Sequence, residues 1–244
     1  MDERFARISM LLGEAAMQRL QMATVTVVGL GAVGGQALEA LSRSGVGRIR
    51  VVDFDIIRRT NINRQILALE STIGQAKSDL AASRIAQINP TCTIEVLKLF
   101  VAEETLDEVL SNTPGIVIDA IDSLNPKSKL IDALLTREIP FISSMGAARL
   151  KDPFSIKVGH FSEVTKCPLA HMVKRRLKSI GQTRDFLCVY SDEEPIRTAE
   201  SILPPDDDFY KRGRDRRPLG SSPIITAIFG LLAANTVIDM IIKE

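Results

Sequence analysis

The sequence predicts an α/β fold with a mostly parallel sheet and helices on both faces, followed by a C-terminal extension. Three observations carry this. An apolar run, Val25-Thr26-Val27-Val28, leads straight into Gly29-Leu30-Gly31-Ala32-Val33-Gly34. A second apolar run, Ile49-Arg50-Val51-Val52, ends in Asp53-Phe54-Asp55, with Asp53 placed 19 residues past the third glycine. Short apolar runs then keep alternating with helical patterns to about residue 145. Strand, glycine turn, helix, strand and acid in that order describe a Rossmann-like nucleotide fold.

Each element has a local cause. Residues 4–22 place Ile8, Leu11, Leu12, Ala15, Ala16 and Leu20 at helical spacing, so one amphipathic helix is expected. A strand at 24–29 precedes a helix at 33–44, closed by Gly45 and Gly47. A strand at 48–53 feeds a loop at 54–70. A helix at 74–88 stops at Asn89-Pro90, because a proline disfavours helical backbone in the residue before it. A strand at 93–99, a helix at 103–111, a buried strand at Ile116-Val117-Ile118-Asp119, a helix at 126–138 and a strand at Phe141-Ile142-Ser143 complete the alternation. Beyond 145 the pattern changes. Ile156, Val158 and His160 alternate as a short strand would, 169–180 reads as a basic helix, and 190–221 reads as an exposed or mobile loop rich in Pro, Asp and Arg.

The 244 residues are 45% hydrophobic and 25% charged, enough to bury one large core. The net charge is +1, so a polyanion would need a local basic patch. Cys92, Cys167 and Cys188 form no CxxC pair. That disfavours a disulfide framework or a structural zinc site, and fits a reducing, cytoplasmic compartment. Acidic Asp2 and Glu3 with no long apolar stretch behind them argue against a secretory signal. Pro223 to Ile242 is long enough to cross a bilayer. Asn235 and Asp239 within it would be costly in lipid. The stretch reads as a buried or subunit-interface helix, with membrane association disfavoured but left open.

The glycines have separate tasks. Gly29 allows the tight turn, Gly31 lets a phosphate approach the backbone, and Gly34 permits close packing of helix on strand. The helix start that follows favours an anion. Asp53 is placed for ribose hydroxyls, which disfavours a 2′-phosphate but does not separate NAD from ATP. The separation comes from Thr60-Asn61-Ile62-Asn63-Arg64-Gln65 and Lys77. Transfer at phosphorus needs cations on the phosphates, and Arg64 and Lys77 can supply them. Asp119-Ala120-Ile121-Asp122-Ser123 ends the fourth strand, where the ligand crevice of an open sheet lies. Asp119 reads as a cap on the strand end and Asp122 as better placed for a magnesium ion on phosphates. Ser123 reads equally as a ligand contact or as the N-cap of the next helix. Cys188 reads as a core thiol, and Cys167 as structural, with a reactive role as the alternative.

Taken together, Arg4-Phe5-Ala6-Arg7, the glycine turn, Asp53-Phe54-Asp55, Asn61 to Gln65, Gly74-Gln75-Ala76-Lys77, Ile88-Asn89-Pro90 and Asp119 to Ser123 resemble the ubiquitin-activating-enzyme-like (ThiF/MoeB/HesA-type) superfamily of carboxylate adenylators. These motifs cover residues 4 to about 145 in order. Within it the chain is most similar to the tRNA threonylcarbamoyladenosine dehydratases, through Val117 to Ser123, Pro140 with Ser143-Ser144-Met145-Gly146, Asp152-Pro153, and Cys167-Pro168-Leu169-Ala170 before the basic helix. The resemblance implies an ATP-binding adenylation domain over 1–150, with 151–244 packed on it as an extension. It implies a homodimer, and ATP with Mg2+ activating the threonyl carboxylate of the modified adenosine beside the tRNA anticodon. Closure to a cyclic form then releases AMP. A sulfur-relay protein is left open as a further partner. Matched position by position, Gly29, Gly31, Gly34 and the Ala32 N–H would line the phosphates. Asp53, Asp55 and Ser123 would line the nucleotide, and Asn61, Asn63, Arg64 and Lys77 would surround the phosphates. Asp122 would hold magnesium. Arg7 would reach the partner's ATP across the dimer.

The chain departs from that pattern in three places. Ala32 stands where many relatives have a second glycine, His171 stands where arginine is expected, and Leu219 to Pro223 is only loosely similar. Lys174, Arg175, Arg176 and Lys178 on the basic helix, with Lys211, Arg212, Arg214, Arg216 and Arg217, are candidate RNA phosphate contacts. With no tryptophan and two tyrosines, extensive base stacking is not expected. The alternative is adenylation of the C-terminal glycine of a ubiquitin-like sulfur carrier. Many such enzymes carry paired CxxC motifs, absent here. An NAD-dependent oxidoreductase would leave Arg64, Lys77 and Asp122 unexplained, and a non-catalytic nucleotide-binding scaffold is the remaining reading.

Overall fold

The computed structural model describes residues 2–112, 114–197 and 219–243. The basic residues at 211–217 and most of the 190–221 segment lie outside the described residues. The chain opens with α1 (Ala6–Leu12) and α2 (Glu14–Met22), then β1 (Thr24–Val28), α3 (Gly34–Arg43) and β2 (Arg48–Val52). There follow α4 (Lys77–Ile88), β3 (Thr93–Leu97), α5 (Leu106–Val109), β4 (Ile116–Asp119), α6 (Leu124–Thr136) and β5 (Phe141–Ser144). The remainder forms β6 (Ile156–His160), α7 (Pro168–Ser179), β7 (Leu187–Ser191) and α8 (Pro223–Lys243).

The described residues build one seven-stranded sheet in the order β3-β2-β1-β4-β5-β7-β6. All pairings are parallel except β6 with β7. β1, β2 and β4 carry Val and Ile on both faces and are buried from end to end apart from Thr24 and Arg48, as a sheet covered on both sides requires. The chain turns outward from β1 to β3 on one side and from β4 onward on the other. The carboxyl ends of β1 and β4 therefore form the topological switch point, where such sheets bind ligands.

Four expectations change. The helix over 4–22 is two helices, broken at Gly13, whose φ of +86° suits a residue without a Cβ. Leu11 is consequently 80% exposed, and Met17 is the residue that packs inward. The 74–88 helix begins only at Lys77, because Gly74 has a φ of +84° and residues 74–76 are a turn and bridge. The 103–111 helix shrinks to a 3-10 turn and the short α5. β7 was not legible as a strand. Its five residues follow a basic helix, and their place depends on a slot between β5 and β6 that the sheet itself supplies.

α8 is long and apolar enough to cross a membrane by length and composition. In this chain Ile225, Phe229, Ala233, Ala234, Val237 and Ile241 face the core, packed with α3 and the sheet. Gly230 allows that approach, because a Cβ there would sit 2.3 Å from the Val33 carbonyl oxygen. α8 therefore backs the helix that begins at the glycine turn. Phe229→Ala should destabilise the protein by about 3–5 kcal/mol, the cost of a buried aromatic cavity. Urea unfolding followed by circular dichroism checks this.

Candidate active site

The glycine turn sits at the carboxyl end of β1, under steric constraint. Gly29 has a φ of +90°, and a Cβ on it would meet the Ala120 carbonyl oxygen at 2.9 Å. A Cβ on Gly34 would lie 1.8 Å from the Gly29 carbonyl oxygen, so the first turn of α3 rests on the backbone of the turn before it. Gly31 is different. The nearest atom to a Cβ there is Gln65 Nε2 at 3.9 Å, so space remains above this position. Ala32 and Val33 lead directly into α3, whose first N–H groups have no intrahelical partner, as at any helix start.

Asp53 ends β2 and grips this turn. Its Oδ2 accepts from the Leu30 N–H at 2.6 Å and its Oδ1 from the Asp55 N–H at 2.8 Å. Burial raises its carboxyl above the usual aspartate value. The nearby Lys77 charge and the two backbone donors pull the other way. Lys77, the first residue of α4, is 5% exposed, and its Nζ donates to Asp55 Oδ2 at 2.6 Å. It is a held cation and not a solvated surface lysine.

Residues 58–65 wrap beside the turn. Asn61 is buried, and its Oδ1 accepts from the Arg58 N–H at 3.0 Å. Arg64 Nη1 donates to the Thr60 carbonyl at 2.9 Å and to Asn63 Oδ1 at 2.8 Å. Asn63 Nδ2 donates in turn to the Ser221 carbonyl at 3.4 Å, and the Arg149 N–H donates to the Gly220 carbonyl at 2.8 Å. The segment entering α8 thus closes against the same site. Gln65, the last residue of the 61–65 motif, is not singled out by its sequence; it is buried, its Oε1 has no hydrogen-bond partner, and its amide faces Gly31. A buried, unsatisfied amide beside an open turn is a ligand contact in waiting.

The 119–123 turn forms the other wall. Asp119 is fully buried and paired with Lys127 Nζ at 2.6 Å. Asp122 is exposed on the turn. Ser123 occupies the N-cap position of α6, but its hydroxyl makes no capping bond there and lies 3.4 Å from Asp122 Oδ1. Arg7, exposed on α1, stands beside Met10 and Leu11, which are also exposed. Thus Asp53 is bonded to the turn that carries Gly29, Gly31, Ala32 and Gly34, Asp55 and Lys77 stand next to Asp53, and the segment with Asn61, Asn63 and Arg64 meets the turn through Gln65, while Asp122 and Ser123 stand on the 119–123 turn beside it. Arg7 stands apart, on the N-terminal helix.

A glycine turn, an acid following β2 and a helix start at the switch point of a parallel sheet are the features of a nucleotide-binding fold. The chain belongs to the ThiF family, which matches residues 5–244. It is similar to the tRNA threonylcarbamoyladenosine dehydratase of Bacillus subtilis, 38% identical over 100% of this chain and 96% of that protein. Crystal structures of the Escherichia coli tRNA N6-threonylcarbamoyladenosine dehydratase in complex with AMP and with ATP each match with a TM-score of 0.88 at 34% identity. Each covers 99% of this chain and 94% of that one.

The three cysteines are free and buried. Cys167 Sγ accepts from the Gly146 N–H at 3.3 Å and from the Ala170 N–H at 3.5 Å, a structural cap on α7. Burial pushes the Cys92 thiol up to about 11 and the Cys188 thiol up to about 12. Iodoacetamide at pH 8 should therefore leave both unlabelled in native protein and label both in urea, as mass spectrometry would read. Each folded thiol holds its proton more tightly than the unfolded one. This contribution to stability is complete below pH 9 and is lost as pH rises from there towards 11 and 12.

Proposed function

We propose that this protein is an ATP-dependent tRNA threonylcarbamoyladenosine dehydratase. In this reading an oxygen of the threonyl carboxylate attacks the α-phosphorus of ATP, the bond to the β-phosphate breaks, and pyrophosphate leaves. An atom of the substrate's own threonylcarbamoyl group then attacks the acyl carbon, AMP leaves, and one proton is released. A carboxylate is a poor electrophile, and the adenylate gives it a leaving group. The protein needs to position the reactants and neutralise charge, with no covalent nucleophile of its own.

The observation that supports this reading is the buried Lys77, held on Asp55 next to the Asp53 that grips the glycine turn, with Arg64 on the segment whose Gln65 amide faces Gly31. Hydride transfer has no need of cations there. The turn N–H groups, Ala32 among them, would cradle the phosphates and Asp53 the ribose. Asn61, Asn63, Arg64, Lys77 and Gln65 would surround the phosphates during transfer. Among the described residues no three acidic, histidine or cysteine side chains form a metal cage. A single exposed carboxylate, Asp122, still suits magnesium, which keeps most of its waters and takes one or two carboxylates beside phosphate oxygens. The ion would neutralise charge on the departing pyrophosphate.

Homodimerisation is part of the proposal. Met10 and Leu11 are 87% and 80% exposed next to Arg7, an apolar edge suited to a second copy. Arg7 would then complete the partner's ATP site. On α7, Ala170, Val173 and Leu177 are buried while Lys174, Arg175, Arg176 and Lys178 face outward, a basic face suited to tRNA phosphates. The free thiols support a cytoplasmic place of action.

Asp122→Ala should cut tRNA-dependent AMP formation by roughly 100-fold or more while the melting temperature stays near that of the wild type, given what one charge-stabilising contact contributes. Unchanged AMP formation would remove Asp122 from the site. Mixed dimers of Arg7→Ala and Lys77→Ala should regain activity that neither homodimer has, since one intact site re-forms. Raising salt should weaken tRNA turnover far more than ATP binding. Mass spectrometry of tRNA nucleosides after incubation with ATP reads the product directly, and unaltered threonylcarbamoyladenosine would overturn the reading.

A further inference from the structure

We propose that the buried Lys127–Asp119 pair positions the adenylation site by holding the turn that carries Asp122; the inference rests on the adenylation reading above. Lys127 is among the largest fully buried side chains of the protein. Its Nζ donates to Asp119 Oδ2 at 2.6 Å and to Ser143 Oγ at 3.1 Å, and Ser143 Oγ donates to the same Asp119 oxygen at 2.6 Å. Three strand and helix positions, on β4, β5 and α6, are thereby tied at one point.

The other Asp119 oxygen, Oδ1, accepts from the Ile121 N–H at 3.1 Å, which fixes the turn immediately before Asp122. The Ala120 N–H donates to the Val28 carbonyl at 2.9 Å, and the Ala120 carbonyl lies against Gly29, 2.9 Å from where a Cβ would stand. The turn is therefore gripped from below by the ion pair and rests sideways on the glycine turn. Lys127 orients the Asp119 carboxylate, the carboxylate orients Ile121, and Asp122 follows next in the chain. Lys127 itself is fully buried beneath the turn.

A buried ion pair can often be replaced by apolar residues of similar volume without loss, whereas removing one partner leaves a stranded charge. What an apolar replacement cannot do is accept the Ile121 N–H. That difference separates positioning from packing.

The test compares Lys127→Met with the double variant Lys127→Met/Asp119→Leu, which removes both charges together. The single variant is expected to be destabilised. The double variant should melt above the single one, although the buried Ser143 hydroxyl loses both of its partners, yet lose at least 30-fold in kcat for AMP formation with ATP and tRNA. Its KM for ATP should stay within threefold, and amide exchange at Ile121 should quicken at least tenfold while the amides of α6 keep their protection. A folded double variant with wild-type kcat, or with unchanged Ile121 exchange, would overturn the proposal. Wild-type protein that forms no AMP with any tRNA would sink the adenylation reading instead, and the exchange measurement would still decide whether the pair holds the turn.

Discussion

The structure depends on how closely the backbone of the first α/β turn packs on itself. With no Cβ at Gly34, α3 starts directly on the carbonyl of Gly29, and with no Cβ at Gly29 the 119–123 turn settles against the other side. That contact aims the helix start at the switch point of the sheet. It also leaves Gly31 as the position with space above it. A methyl group at Gly29 or Gly34 would separate layers on which every other site residue is measured.

Two buried carboxylates finish the work at the strand ends, in the same way. Asp53 at the end of β2 accepts from the N–H of Leu30, and Asp119 at the end of β4 accepts from the N–H of Ile121. Each uses an acid oxygen to hold a turn amide that no strand partner satisfies, as buried backbone donors require. Their charge is balanced differently. Asp119 has Lys127 in direct contact, while Asp53 feels Lys77 through its neighbour Asp55. The first arrangement is closed and rigid. The second ties the buried Lys77 to Asp55, one residue beyond Phe54 from Asp53.

The extension after residue 145 completes the same unit. β7 and β6 continue the sheet beyond β5, the residues before α8 reach back to Asn63 and Arg149, and α8 lies on α3. A helix that sequence alone allowed to be membrane-spanning instead supports the nucleotide turn from behind, because its small residues Gly230, Ala233 and Ala234 let it approach closely.

What the sequence determined by itself was whatever a few adjacent residues impose. Glycine spacing required the turn, continuous Val and Ile runs required buried strands, and Asn89-Pro90 required a helix stop. The candidate nucleotide residues came from the glycine turn, the acid after β2 and the resemblance carried by the motifs between them. Gly13 and Gly74 were visible in the sequence, but their left-handed backbones were not, so one helix was read too long and another too early. Tertiary structure alone decided the pairing of Lys127 with Asp119 and Ser143, the burial of Lys77 on Asp55, the unsatisfied amide of Gln65, and the insertion of β7 between β5 and β6. Each of these joins residues that local periodicity cannot connect. Whether a lysine is a solvated charge or a buried anchor depends on which neighbours the finished sheet brings to it.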